Sequence, residues 1–190
     1  LIRTPRAPAS YKYHIDMLNP ESCHMMLKTV YEPHYAHFGE YFGNTFAGFF
    51  SDEPSFGNAE GSYRVSLGSD EKLLLPWRDD LPELMAKEVG SSPEEMAALL
   101  PALWFTHRER GARIRYAYMQ TITKLYDTNF GSMLGSWCRA HGVLYIGHII
   151  EDMNTHMRLG FGAGHYFRAL AGQDMSGIDV VLHQLIPGLN

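Results

Sequence analysis

Two apolar runs in this chain end in the same way. Thr45–Pro54, TFAGFFSDEP, is aromatic and β-prone, stops at Asp52 and Glu53, and is closed by Pro54. Val143–Asp152, VLYIGHIIED, stops at Glu151 and Asp152. The two glutamates stand 151 − 53 = 98 residues apart, so they do not form one local motif. Continuous apolar runs of this kind mark strands of a parallel sheet buried on both faces. Two further runs, Tyr11–Leu18 and Ile178–Gln184, read as strands ending near Asp16 and at His183 and Gln184.

Helical patterns lie between these runs. Asn19-Pro20-Glu21-Ser22 predicts a turn into a helix with Asn19 as N-cap and Pro20 at the first helical position. That helix carries Met25, Met26, Val30 and Tyr31, and Pro33 is expected to kink or break it. Leu81–Val89 and Pro93–Leu100 predict short helices, the second capped by Ser91 or Ser92. Ile114–Ala140 is the clearest helix, with Ile114, Tyr118, Ile122, Tyr126, Phe130, Leu134 and Trp137 in a near-i+4 stripe and Gly142 as its stop. A last short helix is expected around Tyr166–Ala171. Residues 55–80 read as a long loop, with a short strand at Tyr63–Leu67, lying as a mobile lid over the strand ends.

Strands alternating with helices predict an α/β fold built of parallel units. Four strands are too few for a closed (β/α)8 barrel, which takes about 250 residues. The alternatives are a small open sheet or roughly half to two-thirds of a barrel. The chain shows no internal repeat and no low-complexity segment.

Composition narrows the class. The 190 residues are 45% hydrophobic and 19% charged, with a net charge of −5, an ordinary globular balance with material for a sizeable core. There is no basic stripe, which argues against nucleic acid as partner, and no apolar run of about 18 residues, which argues against a membrane span. The start, LIRTPRAPAS, lacks a signal-peptide core. It does not begin with Met, so the natural start is expected to lie elsewhere. Cys23 and Cys138 sit in helical contexts and read as free packing residues.

The chemistry concentrates at the strand ends, which in parallel sheets carry ligands and catalytic groups. Glycoside hydrolysis needs one carboxylic acid to protonate the leaving oxygen and a second carboxylate as base or nucleophile. One strand-end Glu is commonly a cap or an ion-pair partner. Two, each beside an Asp and each after an apolar strand, favour Glu53 and Glu151 as the catalytic pair. Asp16, Asn19, Asp52, His148, Asp152 and His183 fall at or near the same rim and are expected to hydrogen-bond substrate hydroxyls and tune the carboxylates. For Asn19, helix capping and ligand contact are equal alternatives. Strand alternation sets His148 and Glu151 on opposite faces unless the strand has already ended.

Other features read as structural. His34 and His37 have metal-ligand spacing, but no accompanying motif, and read as ordinary surface histidines. The run GFGAG at 160–164 lacks the lysine of a phosphate loop and does not directly follow a strand, so it reads as backbone flexibility beside the rim. Pro76-Trp77 fits a loop anchor better than a sugar platform.

Several segments together carry a family resemblance: HIDMLNPES (14–22), YFGNTFAGFFSDEPSFGN (41–58), LPW (75–77), RYAYMQTITKLYDTNFGSMLGSWCRAHG (115–142), GHIIED (147–152) and SGIDVVLHQLIPG (176–188). In this order they resemble the catalytic barrel of the family 106 α-L-rhamnosidases, large bacterial glycoside hydrolases, and their unassigned relatives. The resemblance implies a (β/α)8 barrel of which this chain supplies the middle strands. It also implies Glu53 and Glu151 as an inverting acid/base pair, an exo-acted glycoside as substrate, a periplasmic or secreted parent, and calcium dependence. The residues themselves require no cofactor. Two competing readings are a metal-dependent barrel hydrolase with Asp16, Asp52, His148 and His183 as ligands, and a carbohydrate-binding protein without turnover or an inactive fragment.

Overall fold

The computed structural model describes residues 14–56, 74–150 and 157–180. The order along the chain is helix α1 (Pro20–Met26), a π-helical turn (Leu27–Tyr31), α2 (Glu32–Phe38), strand β1 (Gly48–Ser51), α3 (Leu81–Val89) and α4 (Pro93–Leu99). There follow α5 (Gly111–Tyr126), a second π turn (Asp127–Gly131), α6 (Ser132–Ala140), β2 (Leu144–Gly147), α7 (Tyr166–Ala169) and β3 (Met175–Ser176). The fold is mixed α/β, with a small parallel sheet in the order β1-β2-β3.

Local sequence explains most helix ends. The Asn19 side chain accepts from the Glu21 N–H at 3.0 Å, and Pro20 opens α1. Ser92 Oγ accepts from the Glu95 N–H at 3.1 Å at the start of α4. Each bond satisfies a donor that the first helical turn leaves without a partner. α6 stops at Gly142, whose φ of +72° costs a glycine nothing.

Pro33 does not break its helix. The chain stays helical from 20 to 38, because the preceding turn widens so that the Glu32 N–H bonds to Leu27 O, five residues back. A π turn makes room for a residue that can neither donate nor tolerate the usual carbonyl below it.

Two cores meet along one rod. Residues 111–140 stay helical through the second π turn. Their stripe of Ile114, Tyr118 and Ile122 packs with Leu18, Leu81, Met85, Met96 and Leu103. Tyr126, Phe130, Leu134 and Cys138 pack with Met17, Cys23, Leu27, Tyr31, Val143 and Tyr145. An i+4 stripe advances about 40° per step around an α-helix, so one continuous stripe turns from one core to the other. The Leu18 carbonyl joins the halves, accepting from Asn129 Nδ2 and from an Arg78 guanidinium nitrogen, each at 2.8 Å.

The sheet is covered on one face. Phe49 stacks on Tyr31 with ring centres 4.2 Å apart and meets Trp137 edge-on, so the Phe49 and Tyr145 side packs on the helices. Strand alternation sends Phe50, Leu144 and Met175 to the other face, where all three remain exposed.

Several strand expectations need correction. Residues 14–18 form no strand: they make a turn, with the Asn19 N–H on Asp16 O, while residues 11–13 lie outside the described set. A third strand sits at Met175–Ser176, and residues 178–180 are not strand, while 181–184 of the expected strand lie outside the described residues. Pairing with β2 decides this, because the Gly177 N–H reaches Gly147 O at 2.8 Å and ends the ladder there. Residues 74–80 are irregular; the proposed strand Tyr63–Leu67 falls outside the described residues. GFGAG is not a loose segment: Gly160, Gly162 and Gly164 are buried, and the Thr123 hydroxyl on α5 donates to Ala163 O at 2.7 Å.

Both cysteines are buried and unpaired. Burial, with Asp16 nearby, pushes the Cys23 thiol from 9.0 up to about 12. Burial, with Asp174 nearby, does the same to Cys138. Both thiols therefore stay protonated at neutral pH and are expected to react with a thiol reagent at pH 8 only after denaturant is added. The raised values also fix the pH dependence. The unfolded thiols ionise near pH 9 while the folded ones hold their protons to about 12. Their contribution to stability is complete below pH 9 and is lost as pH rises towards 12. Urea midpoints measured from pH 8 to 11 should fall accordingly, and replacing both cysteines with alanine should reduce that fall, leaving the part set by the buried Tyr31, Tyr118, Tyr126 and Tyr145 phenols, which burial also raises.

Candidate functional site

The described part of the site is the C-terminal rim of β1 and β2. These strands pair in parallel with Ser51 opposite Gly147, so the residues that follow them, Asp52 and His148, leave the sheet side by side. The His148 N–H continues the ladder to Ser51 O at 3.3 Å. His148 Nε2 lies 3.1 Å from Asp52 Oδ1, with the imidazole buried and the carboxylate exposed. The Phe50 ring centre is 5.8 Å from that of His148. Phe50, Asp52 and His148 thus share the sheet face that no described helix covers.

Glu53 follows in an unusual backbone state. Its φ is +44°, the one positive value for a non-glycine among the described residues. The next residue is Pro54, which by itself drives its predecessor towards extended backbone. A side chain held in a sparsely populated region costs on the order of 1–3 kcal/mol and persists only where its surroundings over-determine it. Such strain concentrates at functional sites. The Glu53 side chain is half-buried.

The opposite face of the same strands supports this rim. Ser51 Oγ and the Tyr145 hydroxyl lie 2.9 Å apart. Burial pushes the Tyr145 phenol up to about 12, so it stays neutral. Asp174 accepts from the Tyr145 N–H at 2.8 Å and pairs with Arg139 at 3.0 Å, tying β2 to the β3 side and to α6. At Gly147, φ is +147° and a Cβ would come within 2.3 Å of Ser51 O. Only glycine lets the two strand ends approach this closely.

The remaining candidates separate clearly. Asp16 Oδ1 accepts from the Leu18 N–H at 3.0 Å and holds the turn before α1. Asn19 caps α1, the structural of its two alternatives. His14 Nε2 lies 2.6 Å from Ser55 O, bringing the 14–18 turn towards the chain just past Glu53. Glu151, Asp152 and His183 lie outside the described residues. His34 Nδ1 and His37 Nδ1 each contact the carbonyl four residues back, at 2.7 and 2.8 Å. Trp77 is half-buried against the second core, and the Tyr118 hydroxyl donates to Pro76 O at 2.8 Å, as suits an anchor.

Among the described residues no three His, Cys, Asp or Glu side chains converge to hold a metal ion. No helix is long and apolar enough to cross a membrane, among the described residues.

Three residues were missed as parts of the site: Phe50, Tyr145 and Gly147. Alternation within FFSD held the signal for Phe50, since one of two adjacent phenylalanines must face away from the helices. The Ser51–Tyr145 contact joins strands 94 positions apart and leaves no local trace. Comparison with known proteins found no matching family model, no matching curated protein and no matching solved structure.

Gly147→Ala tests the close approach of the strand ends. It should lower unfolding stability by more than about 1 kcal/mol, measured as a drop in urea midpoint at unchanged slope.

Proposed function

We propose that this chain is part of a (β/α)8-barrel glycoside hydrolase, with Glu53 and Glu151 as its acid/base pair and an α-L-rhamnoside as substrate. One observation carries the reading: β1 and β2 are parallel neighbours with Ser51 opposite Gly147, so the segments bearing the two glutamates leave the same edge of the sheet. The positive φ at Glu53 supports a functional role for that position. The sheet is consistent with a barrel wall. Helices pack on one face of it through Phe49 and Tyr145. The sequence resemblance supplies the sugar and the stereochemical outcome.

The chemistry then follows from two carboxyl groups. One, protonated, donates to the glycosidic oxygen as the bond to the anomeric carbon breaks. The other, ionised, takes a proton from a water that attacks the opposite face of the sugar. A gap of roughly 6.5–9.5 Å between the carboxyl groups accommodates that water and inverts the anomeric centre. In this reading Asp52, beside Glu53, binds hydroxyls, and His148 holds the Asp52 carboxylate in position.

Changing Glu53 or Glu151 to Gln keeps the shape and removes the proton chemistry. In the complete parent protein each change should cut turnover of 4-nitrophenyl α-L-rhamnopyranoside by orders of magnitude while the melting temperature holds. Near-normal turnover in both variants refutes the pair. NMR of the first-formed product should show the β-anomer; the α-anomer would point to retention. Cleavage of a different aryl glycoside by the wild type would keep the pair and overturn the sugar.

A further inference from the structure

We propose that Phe50, Asp52 and His148 form a pyranose subsite in which the Phe50 ring is the platform and Asp52 grips hydroxyls on the sugar's edge. This deepens the glycosidase reading and rests on it for the identity of the ligand.

Phe50 keeps 59% of its surface exposed although it lies inside a strand of the sheet. With Leu144 and Met175 it leaves apolar surface on one face of the sheet beside the Asp52 carboxylate, and exposed apolar patches rimmed by polar groups mark binding surfaces. Its ring neighbours the His148 imidazole, whose Nε2 faces one oxygen of the Asp52 carboxylate. That contact holds the carboxylate by one edge. The Asp52 side chain is still 77% exposed, so oxygen lone pairs remain open to solvent on the Phe50 side of the sheet.

The combination selects a ligand. A pyranose has a C–H face and a rim of hydroxyls. The C–H face carries slight positive charge and suits the negative face of an aromatic ring. Hydroxyls donating to an ionised carboxylate make bonds about twice as strong as neutral ones. An apolar peptide would fit Phe50 and leave Asp52 desolvated without a partner, whereas a sugar satisfies both. His148 is a positioning residue here, because it fixes the carboxylate edge and leaves hydroxyl contact to Asp52.

The test is direct binding to the 190-residue chain by calorimetry. The probes are methyl α-L-rhamnopyranoside and the methyl glycosides of L-fucose, D-mannose, D-glucose and D-xylose. At least one should bind the wild type. Phe50→Ala and Phe50→Leu should each weaken that binding tenfold or more, and Phe50→Tyr should restore it to within about threefold, since Tyr keeps the ring face. Asp52→Asn should weaken it about tenfold. Because Phe50 and Asp52 are exposed, melting temperatures should hold in every variant. Binding within twofold of wild type in both Phe50→Ala and Asp52→Asn overturns the subsite, as does failure of all five probes to bind the wild type. Equal loss in Phe50→Leu and Phe50→Tyr also overturns the platform, because side-chain bulk would then explain the effect. The glutamate pair fails separately. If Glu53→Gln and Glu151→Gln retain turnover while Phe50→Ala loses binding, the subsite stands and the catalytic assignment falls.

Discussion

The arrangement depends on one close approach, that of β1 and β2. At Gly48 a Cβ would sit 2.2 Å from Leu144 O, and at Gly147 it would sit 2.3 Å from Ser51 O. The two glycines lie at opposite ends of the paired segment, one on each strand. They let the ladder close from Gly48↔Leu144 to Ser51↔Gly147 without a slip. Because side chains alternate, a slip of one residue would turn Asp52 and His148 to opposite faces and return Phe50 to the helices. The Asp52–His148 contact at the rim, the exposed Phe50 and the packed Phe49 are consequences of a single register.

What the sequence made legible was whatever local chemistry determines. Asn19 and Ser92 announce their helices by capping, Gly142 announces a stop, and the stripe from Ile114 onwards announces the long rod. The two strands ending in acidic residues were legible as apolar runs with abrupt polar ends. The run Tyr11–Leu18 shows the limit, because Met17 and Leu18 are buried in turn geometry rather than in a sheet. Apolar content reports burial and does not by itself distinguish strand from packed turn. The β3 error has the same origin. Met175 and Ser176 form the strand because they lie beside β2, although Ile178 onward has the stronger β-prone sequence. Pro33 misled for another reason: the rule that it breaks helices assumes α geometry below it, and a π turn removes that assumption.

At the candidate site, residue types were legible and partnerships were not. Asp52 and His148 were both placed near strand ends, yet their pairing needs the register of strands far apart in sequence. The strain at Glu53 was not written in the Glu-Pro dipeptide, since a proline favours extended backbone in the residue before it. That the restricted residue would turn to positive φ required the three-dimensional setting. Asn19 and Asp16 demonstrate the converse. Polar residues after an apolar run looked like ligand contacts, and their side-chain oxygens serve backbone donors of the adjoining turn and helix.

The two faces of the sheet carry different kinds of argument. On the Phe49 side the strand residues serve the fold, through aromatic packing against Tyr31 and Trp137, the Ser51–Tyr145 contact, and the Asp174 brace. Those contacts would exist whether or not the protein did any chemistry. On the Phe50 side, large apolar groups stand exposed beside a carboxylate and an imidazole, an arrangement that folding does not require. Exposed Phe50, Leu144 and Met175 forgo the roughly 1.5–3 kcal/mol that burying each side chain would contribute. Residues kept in that state point to what the sheet faces rather than to what holds it together. The backbone strain at Glu53 begins at the edge of this same face. The contrast between a packed side and an exposed side, with the Asp52–His148 contact at its edge, is the physical basis for proposing a site at the C-terminal rim of β1 and β2.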